Sequence, residues 1–245
     1  MTTDTLTRAE QRARFRGMLA PFRRFWATLI VSVLVVFVVI GVAKVLAGSA
    51  SWAHTEIGVD QWLSRAHVPF WDSVTLAVQW VLSPTMGLII VVLVSLAVFW
   101  RTRDRMVGLT FLLVVAGGWL SSELVKMIVH RPRPDFHLLA HPLSTEVTLD
   151  SFPSGHTCLA MALALGFVFL YRRRRGQKWA IIIGAVCVLF VAWSRLYIGV
   201  HYPTDVIGSI LYTGAAMTAF LAIWNQWLVG PVERLIAGPR ARKHA

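Results

Sequence analysis

Charge is scarce in this chain, and negative charge scarcer still. Asp, Glu, Lys and Arg make up only 15% of its 245 residues, and only 12 of those residues are acidic. An ordinary soluble domain carries about 25% charged residues. Cysteine is nearly absent. Cys158 and Cys187 both fall inside apolar runs, and two isolated thiols supply neither a disulfide framework nor zinc-ligand spacing. There is no internal repeat and no low-complexity tract. No cleavable signal peptide is expected, because residues 1–24 are polar and basic and the next run, 25–46, is longer than a signal's apolar region. These absences exclude a disulfide-rich scaffold and a thiolate metal centre.

What the chain has instead is length in apolar runs. Hydrophobic residues make up 56% of it and the mean hydropathy is +0.63. Runs over 25–46, 84–100, 106–129, 155–171, 179–197 and 205–229 predict six membrane-spanning helices. At about 1.5 Å per residue the first spans about 33 Å, enough for a hydrocarbon core of about 30 Å. Between the first and second runs, residues 52–83 alternate aromatic and polar side chains ("DQWLSRAHVPFWDSV"). That pattern suits short interfacial helices better than a span. The expected fold is all-α: a six-helix integral membrane bundle over 25–230, between basic tails at 1–24 and 231–245.

The scarce charge is distributed unevenly, with a formal net charge of +12. Such basicity suits nucleic acid or a cytoplasmic membrane face. Of the 24 Lys and Arg residues, 18 fall in the N-terminal tail, the loop around Arg103, the loop from Arg172 to Lys178 and the C-terminal tail. If six helices alternate, all 18 share one side, which places both termini in the cytoplasm. No nucleic-acid partner is needed to explain the charge. Lys44, Arg65, Lys126, Arg131, Arg133 and Arg195 are left over, and the last four lie near the outer ends of spans three to five.

If spans three to six pack as one bundle, three stretches meet at that outer edge: "KMIVHRPRP" (126–134), "PSGH" (153–156) and "SRLYIGVHYPTD" (194–205). Together they assemble Lys126, Arg133 and Arg195 with two histidines and a carboxylate. Cations gathered in an apolar pocket repel one another and lose hydration, a cost that a bound polyanion offsets. Arg offers a planar fork for phosphate oxygens and Lys a point charge. For any single residue, snorkelling to headgroups is an equal explanation.

Ser154 can cap a helix whose free N–H groups hold an anion, with Gly155 allowing close approach. Read alone, the same tetrapeptide is only a capped helix start. His201 and Asp205, four apart, share a face if they open a helix, so the carboxylate can fix the ring's tautomer and leave the other nitrogen to attack. Such a pair is also a common structural contact. Taken together, a nucleophilic His, a second His to protonate a leaving oxygen and fixed positive charge describe phosphoryl transfer without a metal.

The pattern Lys-x6-Arg-Pro, Pro-Ser-Gly-His, Ser-Arg-x5-His-x3-Asp resembles the type 2 phosphatidic acid phosphatase superfamily, in its membrane-bound branch of lipid phosphatases. The motif core is 126–205, and the six-span layout extends the resemblance over most of the chain. The resemblance implies that His201 is the nucleophile that forms a phosphohistidine, Asp205 its orienting partner and His156 the acid. It implies that Lys126, Arg133, Ser154, Gly155 and Arg195 bind the phosphoryl group, with no cofactor.

The expected partners are a lipid phosphate substrate and membrane lipids, at the outer face of a bacterial-type plasma membrane. An undecaprenyl (polyprenyl) diphosphate is the favoured substrate, with phosphatidylglycerophosphate or phosphatidic acid as alternatives. A lipid-phosphate transporter or binding protein is the alternative of another class. A metal-dependent hydrolase built on His130, His137, His141 and Asp135 is a further one. Glu123, three residues before Lys126, can pair with that lysine.

Overall fold

A computed structural model describes residues 15–145, 147–148 and 150–237, and within them every regular element is helical. Arg8, Arg12, Arg14, Arg240, Arg242 and Lys243, counted above toward the cytoplasmic face, lie outside the described residues. The principal helices are α1 (Phe25–Ala47), α2 (Ala50–Arg65), α3 (Pro69–Val81), α4 (Pro84–Thr102), α5 (Arg105–Val129), α6 (Gly155–Leu170), α7 (Gln177–Ile198), α8 (Pro203–Ile223) and α9 (Val229–Ala237).

Five helices are long and apolar enough to cross a membrane: α1, α4, α5, α7 and the continuous helical stretch from Pro203 to Ile236. The sixth expected span, α6, is apolar but only 16 residues long. It therefore rises about 24 Å. Residues 52–83 form two helices, α2 and α3, and both pack against α7. α2 turns Glu56, Ile57, Asp60, Leu63 and Ser64 inward, so this stretch carries buried polar groups as well as an exposed aromatic surface.

The core lies where α5, α6 and α8 meet. Phe111, Val114 and Val115 of α5 pack with Leu159 and Ala162 of α6 and Met217 and Leu221 of α8. α1 runs along α8 with most of its apolar surface exposed, as expected for a helix solvated by lipid.

Local sequence sets the helix ends that matter. Asp104 caps α5, its carboxylate accepting from the amides of Met106 and Val107. Ser154 caps α6. α7 stops at Gly199, whose φ of 79° is left-handed, a backbone state that glycine adopts without strain. Pro203 opens α8, with Asp205 in its first turn. Because α5, α6, α7 and α8 alternate in direction, the end of α5, the start of α6, the end of α7 and the start of α8 lie at one end of the bundle.

At the opposite end, residues 15–22, expected as part of a tail, are pinned. Met18 is fully buried. Asn225 Nδ2 donates to the carbonyls of Met18 (2.8 Å) and Ala20 (3.1 Å). Arg16 bridges Asp104 (2.8 Å) and Glu233 (2.7 Å).

Candidate active site

The shared end of α5 to α8 contains a cavity of about 620 Å³. Lys126, Arg133, Gly155, His156, Arg195 and His201 all line it, so residues spread over 76 positions of sequence converge on one space. Leu82, Pro84, Leu88, Trp119 and Leu120 form an apolar wall, while Gln79, Glu123 and Asp150 add polar groups.

Each cation is held by a counter-group. Lys126 Nζ donates to Glu123 Oε1 at 3.0 Å. Arg133 Nε donates to Thr148 Oγ1 (2.8 Å) and Asp150 Oδ1 (3.1 Å), and its Nη1 donates to the Val200 carbonyl at 3.3 Å. Arg195 is almost wholly buried. Its guanidinium reaches Gln79 Oε1 (3.3 Å), the Thr75 carbonyl (3.2 Å) and Ser194 Oγ (3.2 Å).

The start of α6 faces these cations. A Cβ on Gly155 would stand 3.5 Å from Lys126 Nζ, so any larger residue would fill the space beneath the ammonium group. The amide of Gly155 is one of those a helix start leaves outside the ladder. Ser154, expected to touch the phosphoryl group, stands at the cap of this helix. It is fully buried, does not line the cavity, and its Oγ accepts from the amide (3.4 Å) and hydroxyl (3.1 Å) of Thr157. Its geometry is that of a cap supporting Gly155 and His156.

The histidines are held from opposite sides. His156 Nε2 lies 3.1 Å from the Gln79 carbonyl. A carbonyl only accepts, so that nitrogen carries hydrogen and Nδ1 is the ring's other proton site. His201 Nδ1 lies 3.7 Å from Asp205 Oδ2, beyond hydrogen-bond length, and is buried without a hydrogen-bond partner. Asp205 is occupied elsewhere, accepting from Arg131 Nη1 (2.6 Å), Ser151 Oγ (2.5 Å) and the Tyr202 amide (2.9 Å). The expected pairing is thus an electrostatic contact at 3.7 Å, and the His201 ring lines the cavity.

A family model described as the PAP2 superfamily matches residues 107–229, which contain all three motifs. The chain belongs to the PAP2 superfamily. An undecaprenyl-diphosphatase of Bacillus subtilis is 30% identical over 145 residues, 59% of this chain and 71% of that protein. Phosphatidylglycerophosphatase B of the same organism is 34% identical over 128 residues, 50% of this chain and 59% of its own length. The crystal structure of the transmembrane PAP2-type phosphatidylglycerolphosphate phosphatase from Bacillus subtilis matches with a TM-score of 0.62 and 24% identity. That match covers 82% of this chain and 95% of that one, a likeness of fold.

This PAP2 chain is a multi-pass membrane protein and a lipid phosphatase. Its site includes groups that sequence reasoning missed. Gln79, from the stretch read as interfacial, touches both His156 and Arg195. Asp150, four residues before Ser154, pairs with Arg133. Burial raises the Asp150 carboxyl, but hydrogen bonds from Thr148 and Arg133 outweigh it and hold the group below its ordinary value. The loop histidines stay apart from the PAP2 cavity. His137 takes its amide to Asp135 (2.9 Å) and His141 its amide to Ser64 (2.8 Å), and none of His130, His137 and His141 lines the cavity.

Burial pushes the His201 ring below its ordinary pKa. Asp205 pulls the other way, while Arg133 and Arg195 reinforce the burial. The neutral imidazole is therefore favoured, and only that form has a lone pair to offer phosphorus.

Proposed function

We propose that this PAP2 lipid phosphatase hydrolyses a phosphate or diphosphate ester of a lipid at the outer face of a bacterial-type plasma membrane. The reaction proceeds through a phosphohistidine on His201, without a metal ion. The observation that carries this reading is the single cavity joining two histidines, three cations and an apolar wall. His201 Nε2 attacks phosphorus and the bond to the leaving oxygen breaks. His156, protonated at both ring nitrogens once the anionic phosphate is bound, gives its Nδ1 proton to that oxygen. Water, activated by the now basic His156, then cleaves the nitrogen–phosphorus bond and releases inorganic phosphate. Lys126, Arg133, Arg195 and the Gly155 amide stabilise the equatorial oxygens throughout. As the phosphate arrives it competes with Glu123 and Asp150 for their cations.

The apolar wall from α4 and α5 accommodates the first part of a lipid tail. In this reading α6 is the sixth span, both termini are cytoplasmic and the cavity opens outward. An undecaprenyl-type polyprenyl diphosphate is the favoured substrate. Its support is the relatives named undecaprenyl-diphosphatase and the need for such a carrier to be dephosphorylated at the outer face. Phosphatidylglycerophosphate and phosphatidic acid are the competing substrates.

Purified full-length protein in detergent is expected to release phosphate fastest from undecaprenyl diphosphate in a panel with the other two lipids. The activity should survive EDTA and fall with vanadate. Loss of activity in EDTA would overturn the metal-free mechanism, and a faster rate with either glycerolipid would reassign the substrate.

The state of His201 sets the acid side of the pH profile. Its pKa lies below the ordinary value of about 6.5, so more than half of the nucleophile is neutral at pH 6.5 and it is lost as the pH falls further. The acid limb of kcat/KM, which reports the free enzyme, is expected below about 6.5. A limb above that value would show that His201 is not the group being titrated.

A further inference from the structure

Around Asp205 lies a cluster of charged side chains that does not line the cavity and that the mechanism does not use. Arg131 is 1% exposed and is not a cavity residue. Its guanidinium donates to Asp205 Oδ1 (2.6 Å), Thr204 Oγ1 (2.7 Å) and Glu56 Oε2 (2.6 Å) and stacks over the Tyr202 ring, 4.4 Å from its centre. Glu56 comes from α2 and also receives the amide (2.8 Å) and hydroxyl (2.9 Å) of Thr204. Asp60, one turn along α2, is fully buried, and neither of its carboxyl oxygens has a hydrogen-bond partner. Burial first, then Asp205 and Glu56, push Asp60 up to about 9. It is neutral at physiological pH, and the cluster holds two carboxylates around one guanidinium.

A buried ion pair is weak grounds for stability, since apolar residues of similar volume often do as well. What Arg131 supplies is direction. It joins three separate elements (the loop after α5, α2 and the first turn of α8) and holds the Asp205 oxygen opposite the one that faces His201. We propose that Arg131, clamped by Glu56, is a positioning residue for phosphoryl transfer. It fixes the Asp205 carboxylate toward His201 Nδ1 and, through it, the ring that attacks phosphorus. The role rests on the assignment of His201 as nucleophile and adds α2 to the machinery.

The test uses full-length protein in detergent and the lipid hydrolysed fastest in the panel above. Arg131→Met is expected to lower kcat on the order of 10²-fold, the effect of a small misalignment of reacting groups, with KM unchanged. Arg131→Lys keeps a charge that can reach Asp205 and should recover part of that loss. Glu56→Gln is the milder variant if Arg131→Met fails to fold, and is expected to lower kcat about tenfold by the scale of supporting-shell losses, again at constant KM. Folded Arg131→Met or Glu56→Gln protein with parental kcat, or a loss confined to KM, overturns the proposal. So does an Arg131→Lys protein no better than Arg131→Met, or failure of all three variants to fold, because a purely structural role would then suffice. His201→Ala is measured alongside. If it is active, the nucleophile assignment falls; if it is inactive while the Arg131 variants are normal, only the positioning role falls.

Discussion

Phosphate release is expected to vanish when His201 is replaced by alanine, with a loss in kcat on the order of 10⁶-fold, the scale seen when a covalent nucleophile is removed. The expectation follows from the ring's position. His201 lines the cavity, its Nδ1 faces a fixed carboxylate at 3.7 Å, and burial keeps it neutral. No other histidine of the cavity has a carboxylate behind it. His156 has a carbonyl instead, which cannot stabilise a positive ring as a carboxylate does. The three cations remain in His201→Ala, so the variant should still bind lipid phosphate and vanadate while turning nothing over. Binding without turnover separates an enzyme from a lipid-phosphate carrier, whose function His201→Ala would leave intact. Residual turnover near that of the parent would remove the phosphohistidine from the mechanism.

The second large effect concerns His156, and its size should depend on the leaving group. With a phosphomonoester, the departing alkoxide is a strong base that needs a proton as the bond breaks. His156→Ala is then expected to lower kcat by about 10²–10⁴-fold, the range for a lost general acid. With a diphosphate, the leaving group is itself a phosphate and a far weaker base, so the loss should be smaller. An aryl phosphate with a good leaving group should be affected least. Parallel measurements on phosphatidic acid, undecaprenyl diphosphate and an aryl phosphate check this ordering. Equal losses on all three would assign His156 to binding rather than to proton transfer. The hydrogen bond from Nε2 to the Gln79 carbonyl makes Nδ1 the nitrogen from which the proton leaves.

Much of this was legible because the relevant signals are local. The six apolar runs anticipated α1, α4, α5, α6, α7 and α8, the last as the start of a longer helical stretch, since membrane-length runs with few charges have few alternatives to a helix. The positions of Lys126, Gly155, His156, Arg195 and His201 at one end follow from alternating helix direction, which can be counted along the chain. Ser154 was legible as a cap, but not its burial beneath the cavity, which depends on how α8 packs. Gln79, Glu56 and Asp60 were not legible as site residues. They lie in helices whose aromatic–polar alternation reports only an interfacial character. The partners of Glu56 and Gln79 stand 75 or more residues away, and no local pattern encodes a contact at that separation. Arg131 stood in plain view in "HRPRP" as an unexplained outer cation. Its neighbour Arg133 fitted an anion site, while the carboxylates that engage Arg131 come from two distant elements.

The length of α6 has a consequence for the lipid around it. A helix of 16 residues falls about 6 Å short of a hydrocarbon core of about 30 Å. If α6 is the sixth span, as proposed, either the bilayer thins beside it or its first turn, with Gly155 and His156, lies below the headgroup plane. In both cases hydrophobic mismatch enters the work of bringing a phosphate to the site. Short-chain bilayers relieve that mismatch and thick ones increase it, so membrane thickness becomes a variable of the reaction, set by the host lipid rather than by any residue of the chain.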